Sequence, residues 1–130
     1  MKPIDTITSD VVGEAIKIHR ELGPGLLESV YELVLAAALL RKGYRVQRQV
    51  PVPITYDGLE IDVAFRIDLL VEGCLILEIK AVEKLGKVHA KQLLTYLRLM
   101  KQPVGLLLNF SGETMKQGIR RMVNDYRAGD

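Results

Sequence analysis

Three charged side chains interrupt the two strongly apolar runs at residues 67–71 and 74–80. Asp68 lies in the first run, and Glu78 and Lys80 lie in the second run. An ionised side chain inside a buried strand costs several kcal/mol unless it pairs with an opposite charge or binds a metal ion. Two carboxylates and an amine that come together there could hold Mg²⁺ beside a phosphate. The residue types therefore predict a site where a metal ion could meet a phosphate group.

The length of one turn decides whether these side chains can meet. The two runs are typical of strands joined by a tight turn, and Glu78 and Lys80, two residues apart, share a face of their strand. A turn of two residues would place Asp68 opposite Leu77, on the other face from Glu78. A loop of three residues, Glu72-Gly73-Cys74, or a bulge removes this conflict, and its glycine makes such a loop easy to form. We therefore expect an odd loop or a bulge here.

The composition limits the class of protein. With 130 residues, 48% hydrophobic and 26% charged, the chain has the make-up of a single folded domain over residues 1–130. The net charge of +2 permits only a local basic face for nucleic acid. A single cysteine excludes an internal disulfide and fits a cytoplasmic location. The longest apolar run, residues 33–40, is too short for a membrane span, and the N-terminus lacks a signal-peptide pattern.

The rest of the chain predicts the elements that must position the charged residues. Apolar residues recur with helical spacing in four segments, about residues 11–22, 26–42, 88–100 and 113–126, and the second is apolar on all sides. Runs of branched residues predict four strands, about residues 44–56, 59–71, 74–82 and 104–110. Asp57-Gly58 is typical of a hairpin, and Pro51 and Pro53 favour an edge strand. The predicted fold is α/β or α+β, a mixed sheet of about four strands flanked by helices in the order ααβββαβα.

In this order of elements, the chain resembles the PD-(D/E)xK nuclease superfamily, with its restriction-endonuclease-like core, and within it the small GxxExxY family. Residues 25–31 match the naming motif, Glu78-Ile79-Lys80 matches (D/E)xK, and Asp68 matches the acidic residue of the second strand. Ile67 stands where the superfamily name has proline. Gln-Leu-Leu-Thr-Tyr at residues 92–96 resembles the QxxxY element of the RecB-like exonuclease branch.

This resemblance extends over about residues 7–123, and it implies metal-assisted hydrolysis of phosphodiester bonds in nucleic acid, with DNA favoured as the substrate. Asp68 and Glu78 would bind Mg²⁺ or Mn²⁺ together with the backbone carbonyl of Ile79, because hard oxygen ligands suit these ions. Lys80 would orient or deprotonate the attacking water, or offset charge in the transition state. Glu28 would reach the metal through water or help to hold a second ion. A homodimer is one arrangement in which so small a domain could grip duplex DNA.

Four more side chains are candidates for positioning the substrate. His89, Gln92 and Tyr96 are spaced by three and four residues and share one face of the predicted helix, where they could position the lysine or a phosphate. For His89, a polar fringe on a core helix is an equally good interpretation. Tyr31 is expected to pack in the core with its hydroxyl hydrogen-bonded. For Glu28, the simpler alternative is a favourable negative charge near a helix N-terminus.

Two other functions fit the same residues. One is a catalytically silent module with this fold that binds nucleic acid or serves an assembly. The other is an α+β domain in which Lys80 forms a structural salt bridge with Glu78 or Asp68. Basic residues that could follow a nucleic-acid backbone form two groups along the chain, which are Arg41, Lys42, Arg45 and Arg48, and then Lys84, Lys87 and Lys91.

Overall fold

The computed structural model describes residues 1–124, which form helices on both faces of a mixed sheet. The helices are α1 (Ile4–Leu22), α2 (Glu28–Arg41) and α3 (Lys87–Met100). The strands are β1 (Val46–Tyr56), β2 (Leu59–Val71), β3 (Leu75–Lys80), β4 (Val104–Asn109) and β5 (Ile119–Val123). They lie side by side in chain order, with β3 and β4 parallel and all other neighbours antiparallel. The predicted α/β class is confirmed.

The last element differs from the prediction. The helix expected over residues 113–126 is wrong, because residues 116–118 form one 3₁₀ turn and β5 then pairs with β4. Every residue of β4 is buried, so its outer backbone groups need hydrogen-bond partners, and β5 supplies them. This need for pairing outweighs the helical spacing of the apolar residues. Residues 125 and 126 of the expected helix lie outside the described residues.

Separate apolar cores cover the two faces of the sheet. Helices α1 and α2 pack over Leu75, Leu77 and Ile79 of β3, whereas α3 packs through Leu93 over the other face. The apolar run of residues 33–40 predicts that α2 is the central buried helix, and this is wrong, since Leu33 and Leu40 are about half exposed. No helix within residues 1–124 combines the length and the apolar character needed to cross a membrane.

Both hairpins have the turns that the sequence predicts. Asp57 and Gly58, with φ of 50° and 78°, join β1 to β2 in a two-residue turn, and β1 is an edge strand of the sheet, as its prolines indicate. Residues 72–74 join β2 to β3, with Val71 paired to Leu75. The three-residue loop is therefore confirmed. Continued by three positions, its register brings Asp68 opposite Glu78.

The close contact between the start of β5 and the end of β4 tests the corrected element. A Cβ atom on Gly118 would collide with the backbone carbonyl oxygen of Asn109, so Gly118→Ala should lower the free energy of unfolding by about 1–3 kcal/mol. In a helix the same change would raise it by up to ~1 kcal/mol. Urea unfolding measures the difference. Gly13→Ala in α1 has nothing within 4 Å of the added carbon and, as the control, should stabilise the fold.

Candidate functional site

Asp68 replaces a backbone acceptor at the point where β2 and β3 separate. The main-chain pairing of the two strands runs from the turn to Leu69 and Leu77. Beyond this pair, the Ile79 N–H donates to Asp68 Oδ2 at 2.8 Å. A side-chain carboxylate thus takes the place that a carbonyl of β2 would have in a continued ladder. The bond holds Asp68 beside the backbone of β3, next to Glu78.

The side-chain alternation of β2 also changes at Asp68. Ile67 packs in the core beneath α3, whereas Leu69, two residues further on, packs with α1 and α2. A regular strand would place both on one face. The partner strand has its own irregularity here, because Gln49 has φ of 51°. A left-handed conformation costs a non-glycine residue about 1–2 kcal/mol and persists only where the surroundings impose it.

Gln49 connects Asp68 to a buried carboxylate on α2. Its Nε2 donates to Glu32 Oε1 at 2.6 Å and to Asp68 Oδ1 at 3.2 Å. Glu32 is only 5% exposed, and its other oxygen accepts from Nη2 and Nε of Arg48 at 2.9 and 3.2 Å. The charge of Glu32 is therefore compensated. Asp68 in turn has a donor on each oxygen, one from Gln49 and one from Ile79.

Glu78 is buried with one carboxylate oxygen unpaired. The residue is 4% exposed, and Oε1 has no hydrogen-bond partner within residues 1–124. Burial, together with the negative charge of Asp68, raises the pKa of Glu78 to about 9, and the positive charge of Lys80 only partly opposes this. Without a cation, Glu78 is therefore protonated at neutral pH. A divalent cation between the two acids would satisfy the unpaired oxygen, so these residues fit a metal ion.

The ligand set cannot consist of acidic side chains alone. Within the described part of the chain, no three His, Cys, Asp or Glu residues are grouped so that they could hold a metal ion. Glu28 is exposed, and its Oε1 accepts the Ala81 N–H at 3.1 Å, one residue beyond Lys80. It therefore lies near the end of β3 without joining Asp68 and Glu78 in such a group. A third ligand would be a backbone oxygen, as expected of Ile79, or water.

A groove of about 560 Å³ gives access to the site from the side of α2. Its polar lining comes from α2 and from neighbouring strands, and includes Glu28, Ser29, Glu32, Arg48, Gln49 and Asp68. Ile79 also lines it, whereas Glu78 is buried. A ligand in the groove would thus meet Asp68 before Glu78.

Tyr96 is the residue of α3 that the structure brings to the acids. Burial, and then the negative charges of Glu78 and Asp68, raise the pKa of the Tyr96 hydroxyl. Its ring stacks on Phe65 of β2 with centroids 4.0 Å apart, which fixes the ring against the sheet. The hydroxyl therefore stays protonated and can act as a hydrogen-bond donor.

His89 and Gln92 have other surroundings. His89 Nδ1 accepts the Gly86 N–H at 3.0 Å, so this side chain closes the first turn of α3. Gln92 is exposed. The structure gives His89 a local structural contact, and the substrate-positioning role of both residues stays a prediction.

Tyr31 packs as expected and holds the loop that precedes α2. Its ring stacks on Phe110 with centroids 4.4 Å apart. Its hydroxyl donates to the Gly23 carbonyl at 2.6 Å and accepts the Leu26 N–H at 3.2 Å. The expectation of core packing with a hydrogen-bonded hydroxyl is confirmed. These bonds fix the start of α2, and with it Glu28.

The sequence analysis missed two residues of the site. Glu32 follows Glu28 by one helical turn inside an apolar segment, and a charge in a helix expected to be buried was the available signal. Gln49 lies in the polar segment before Pro51. No pattern marks Gln49, because its role depends on a left-handed backbone conformation that only the folded strand pair imposes.

The raised pKa of Glu78 predicts that stability falls as the pH rises. Such a carboxyl group stabilises the fold fully below its ordinary pKa of 4.5, and this contribution is lost as the pH rises through about 9. In EDTA the free energy of unfolding should therefore fall by up to ~1.4 kcal/mol per pH unit relative to Glu78→Gln. Urea unfolding across this interval measures the difference. The exposed Glu83→Gln variant should follow the wild type, and a Glu78→Gln curve parallel to the wild type would contradict the prediction.

Comparison with known proteins agrees with this geometry. A family model described as the PD-(D/E)XK nuclease superfamily matches residues 5–122. No curated protein and no solved structure matches the chain significantly. The succession of elements from α2 to β4 agrees with a restriction-endonuclease-like core, and the matched residues include Asp68, Glu78 and Lys80. The chain therefore belongs to the PD-(D/E)XK nuclease superfamily.

Proposed function

We propose that the protein is a metal-dependent nuclease that hydrolyses phosphodiester bonds in DNA. The observation that supports this most strongly is the unpaired oxygen of buried Glu78 beside Asp68. A purely structural cluster would neutralise these acids with Lys80. Among residues 1–124, however, no salt bridge joins Lys80 to either acid. A bound cation would therefore supply the positive charge that these acids lack.

Asp68, Glu78 and the carbonyl of Ile79 would hold Mg²⁺ or Mn²⁺. When bound, such an ion supplies charge stabilisation to the phosphate and lowers the pKa of a coordinated water. The protein contributes preorganisation, because Gln49 and the Ile79 N–H already fix the carboxylate of Asp68. Glu78 would have to be ionised to serve as a ligand, so it would release its proton to solvent on binding the ion.

The neighbouring side chains would act on the phosphate and the attacking water. Lys80 follows Glu78 by two residues on β3 and is half-buried, so its amine can orient water or stabilise negative charge at this end of the strand. The protonated hydroxyl of Tyr96 can donate to a phosphate oxygen. Glu28 lies at the mouth of the groove and can hold a water there. Gln92 and His89 would contact substrate further along α3.

We also assign the chain to the GxxExxY family within the superfamily, on the motif from Gly25 to Tyr31. Tyr31 fixes the loop before α2, and Glu28 reaches the Ala81 N–H. The motif thus ties the start of α2 to the end of β3, next to the proposed metal ligands. The single cysteine supports a cytoplasmic location. A homodimer stays a prediction.

Two observations favour a second candidate, a silent module that binds nucleic acid. The described residues offer no group of three metal-ligating side chains, and Glu78 is neutral at pH 7 without a cation. A chain that had lost catalysis could keep this arrangement as a buried neutral carboxyl group.

Cleavage assays on purified protein separate the two candidates. Labelled linear and circular DNA, and matching RNA, are incubated with Mg²⁺, Mn²⁺ or EDTA. The wild type should cleave only with a divalent ion. Asp68→Asn, Glu78→Gln and Lys80→Met should each reduce the rate by at least ~100-fold, because each removes a charge that acts on the transition state.

The controls show whether a loss of cleavage reports on the site. Glu60→Gln changes an exposed acid at the start of β2, away from the proposed ligands, and should cleave like the wild type. Calorimetry with Mn²⁺ should detect binding to the wild type and weaker binding to Asp68→Asn. Salt-dependent binding of DNA that persists in EDTA, with no cleavage under any condition, would favour the silent module instead.

A further inference from the structure

The basic side chains that could contact a nucleic-acid backbone differ in whether a neighbouring carboxylate neutralises them. Lys42, Arg45 and Arg48 each lie within 4.0 Å of a carboxylate, and their partners are Glu14, Glu72 and Glu32. Their charges are partly neutralised. Lys84 and Lys87, in contrast, form no salt bridge with any residue of the described chain.

A third cation, Arg120 of β5, lines the same clefts as Lys84 and Lys87. The two clefts adjoin each other at the start of α3. One, of about 240 Å³, also has Leu85 and Lys87 in its wall, and the other, of about 160 Å³, has Lys84 and the acidic Glu83. We call Lys84, Lys87 and Arg120 the basic groove. The sequence does not mark Arg120 as part of such a group, because it predicts a helix over residues 113–126.

The basic groove lies at the same end of the sheet as the proposed catalytic site. Lys80 pairs with Asn109 across β3 and β4, and the backbone of Asn109 contacts Gly118, just before β5. Neighbouring strands lie about 4.8 Å apart, so about 10 Å separates Lys80 from the start of β5. The side chain of Asn109 also bonds the N–H and the carbonyl of Val82 at 3.1 and 2.9 Å. These bonds fix the loop that carries Lys84.

Arg120 is held so that one edge of its guanidinium group is available. Its Nη1 donates to the carbonyls of Gln117 and Ile119 at 3.1 and 3.0 Å. The Nε and Nη2 hydrogens donate to no residue within the described 124. This edge can bind a phosphate through two parallel hydrogen bonds. Since the backbone already orders the side chain, such binding loses less conformational entropy.

We propose that the basic groove binds the phosphate backbone of the nucleic-acid substrate, a few nucleotides from the bond held at Asp68 and Glu78. The proposal rests on the proposed nuclease function and adds the surface that positions its substrate. Three cations on one edge, with Glu83 as the acid in their walls, create a local positive field that the net charge of +2 conceals. The contacts are to phosphates, so the groove sets the register of the strand and carries no sequence preference.

Binding of labelled DNA in EDTA tests this surface without cleavage. Lys87→Ala combined with Arg120→Ala should weaken binding about tenfold and lower the slope of log K against log salt by about 2. Lys17→Ala combined with Arg20→Ala changes the net charge equally at exposed positions of α1. This control should bind like the wild type with an unchanged slope.

A second variant covers the case in which the change in β5 impairs folding. Lys84→Gln combined with Lys87→Gln alters only exposed positions in the loop and at the start of α3, and should lower affinity and slope in the same way. Thermal unfolding confirms that each variant is folded. Equal losses in groove and control variants, no loss in the groove variants, or no binding by the wild type would each overturn the proposal.

Cleavage in Mg²⁺ distinguishes failure of the basic groove from failure of the nuclease assignment. A wild type that cleaves, with groove variants that bind and cleave like the control, overturns the groove and leaves the nuclease function intact. A wild type that binds DNA and does not cleave, with groove variants that lose binding, supports the groove and overturns the nuclease function.

Discussion

The site depends on one hydrogen bond, from the Ile79 N–H to the carboxylate of Asp68. It ends the pairing of β2 with β3 and keeps a second acid beside the buried Glu78. Gln49 and Glu32 then complete the surroundings of Asp68 from β1 and α2. Because the same carboxylate completes the backbone hydrogen bonding and would bind the cation, architecture and chemistry cannot be separated at Asp68. An asparagine there keeps one acceptor oxygen and turns an amide NH₂ group toward the second donor, so it removes the charge and one of the two hydrogen bonds together.

Glu78 gives the site its electrostatic character. A divalent cation at this carboxyl group, whose pKa is about 9, would compete with a proton, so part of the free energy of metal binding would go into displacing the proton. Without a cation the neutral form of Glu78 avoids a buried charge, whereas the proposed metal site requires the ionised form. Folding and binding of the proposed metal would therefore be linked through one buried group.

Local rules in the sequence account for most of the scaffold. The glycine turns, the prolines of β1 and the requirement that Asp68 and Glu78 share a face predict the two hairpins and the odd loop or bulge between β2 and β3. These rules do not predict the final strand, since residues 115–123 have helical spacing, and residues 119–123 form a strand because β4 needs a partner. Gln49 and Arg120 escape these rules for the same reason. Their roles depend on residues that are distant in sequence, so no periodic pattern in the chain predicts them.

The loop between β2 and β3 also constrains how such a chain can change in length. Successive side chains of β3 point to opposite faces, so losing or gaining one residue at positions 72–74 would turn Glu78 into the core beneath α1 and α2 and Ile79 toward α3. A change of two residues would preserve the faces. This hairpin should therefore tolerate insertions and deletions of an even number of residues, or of an odd number when a bulge compensates for them.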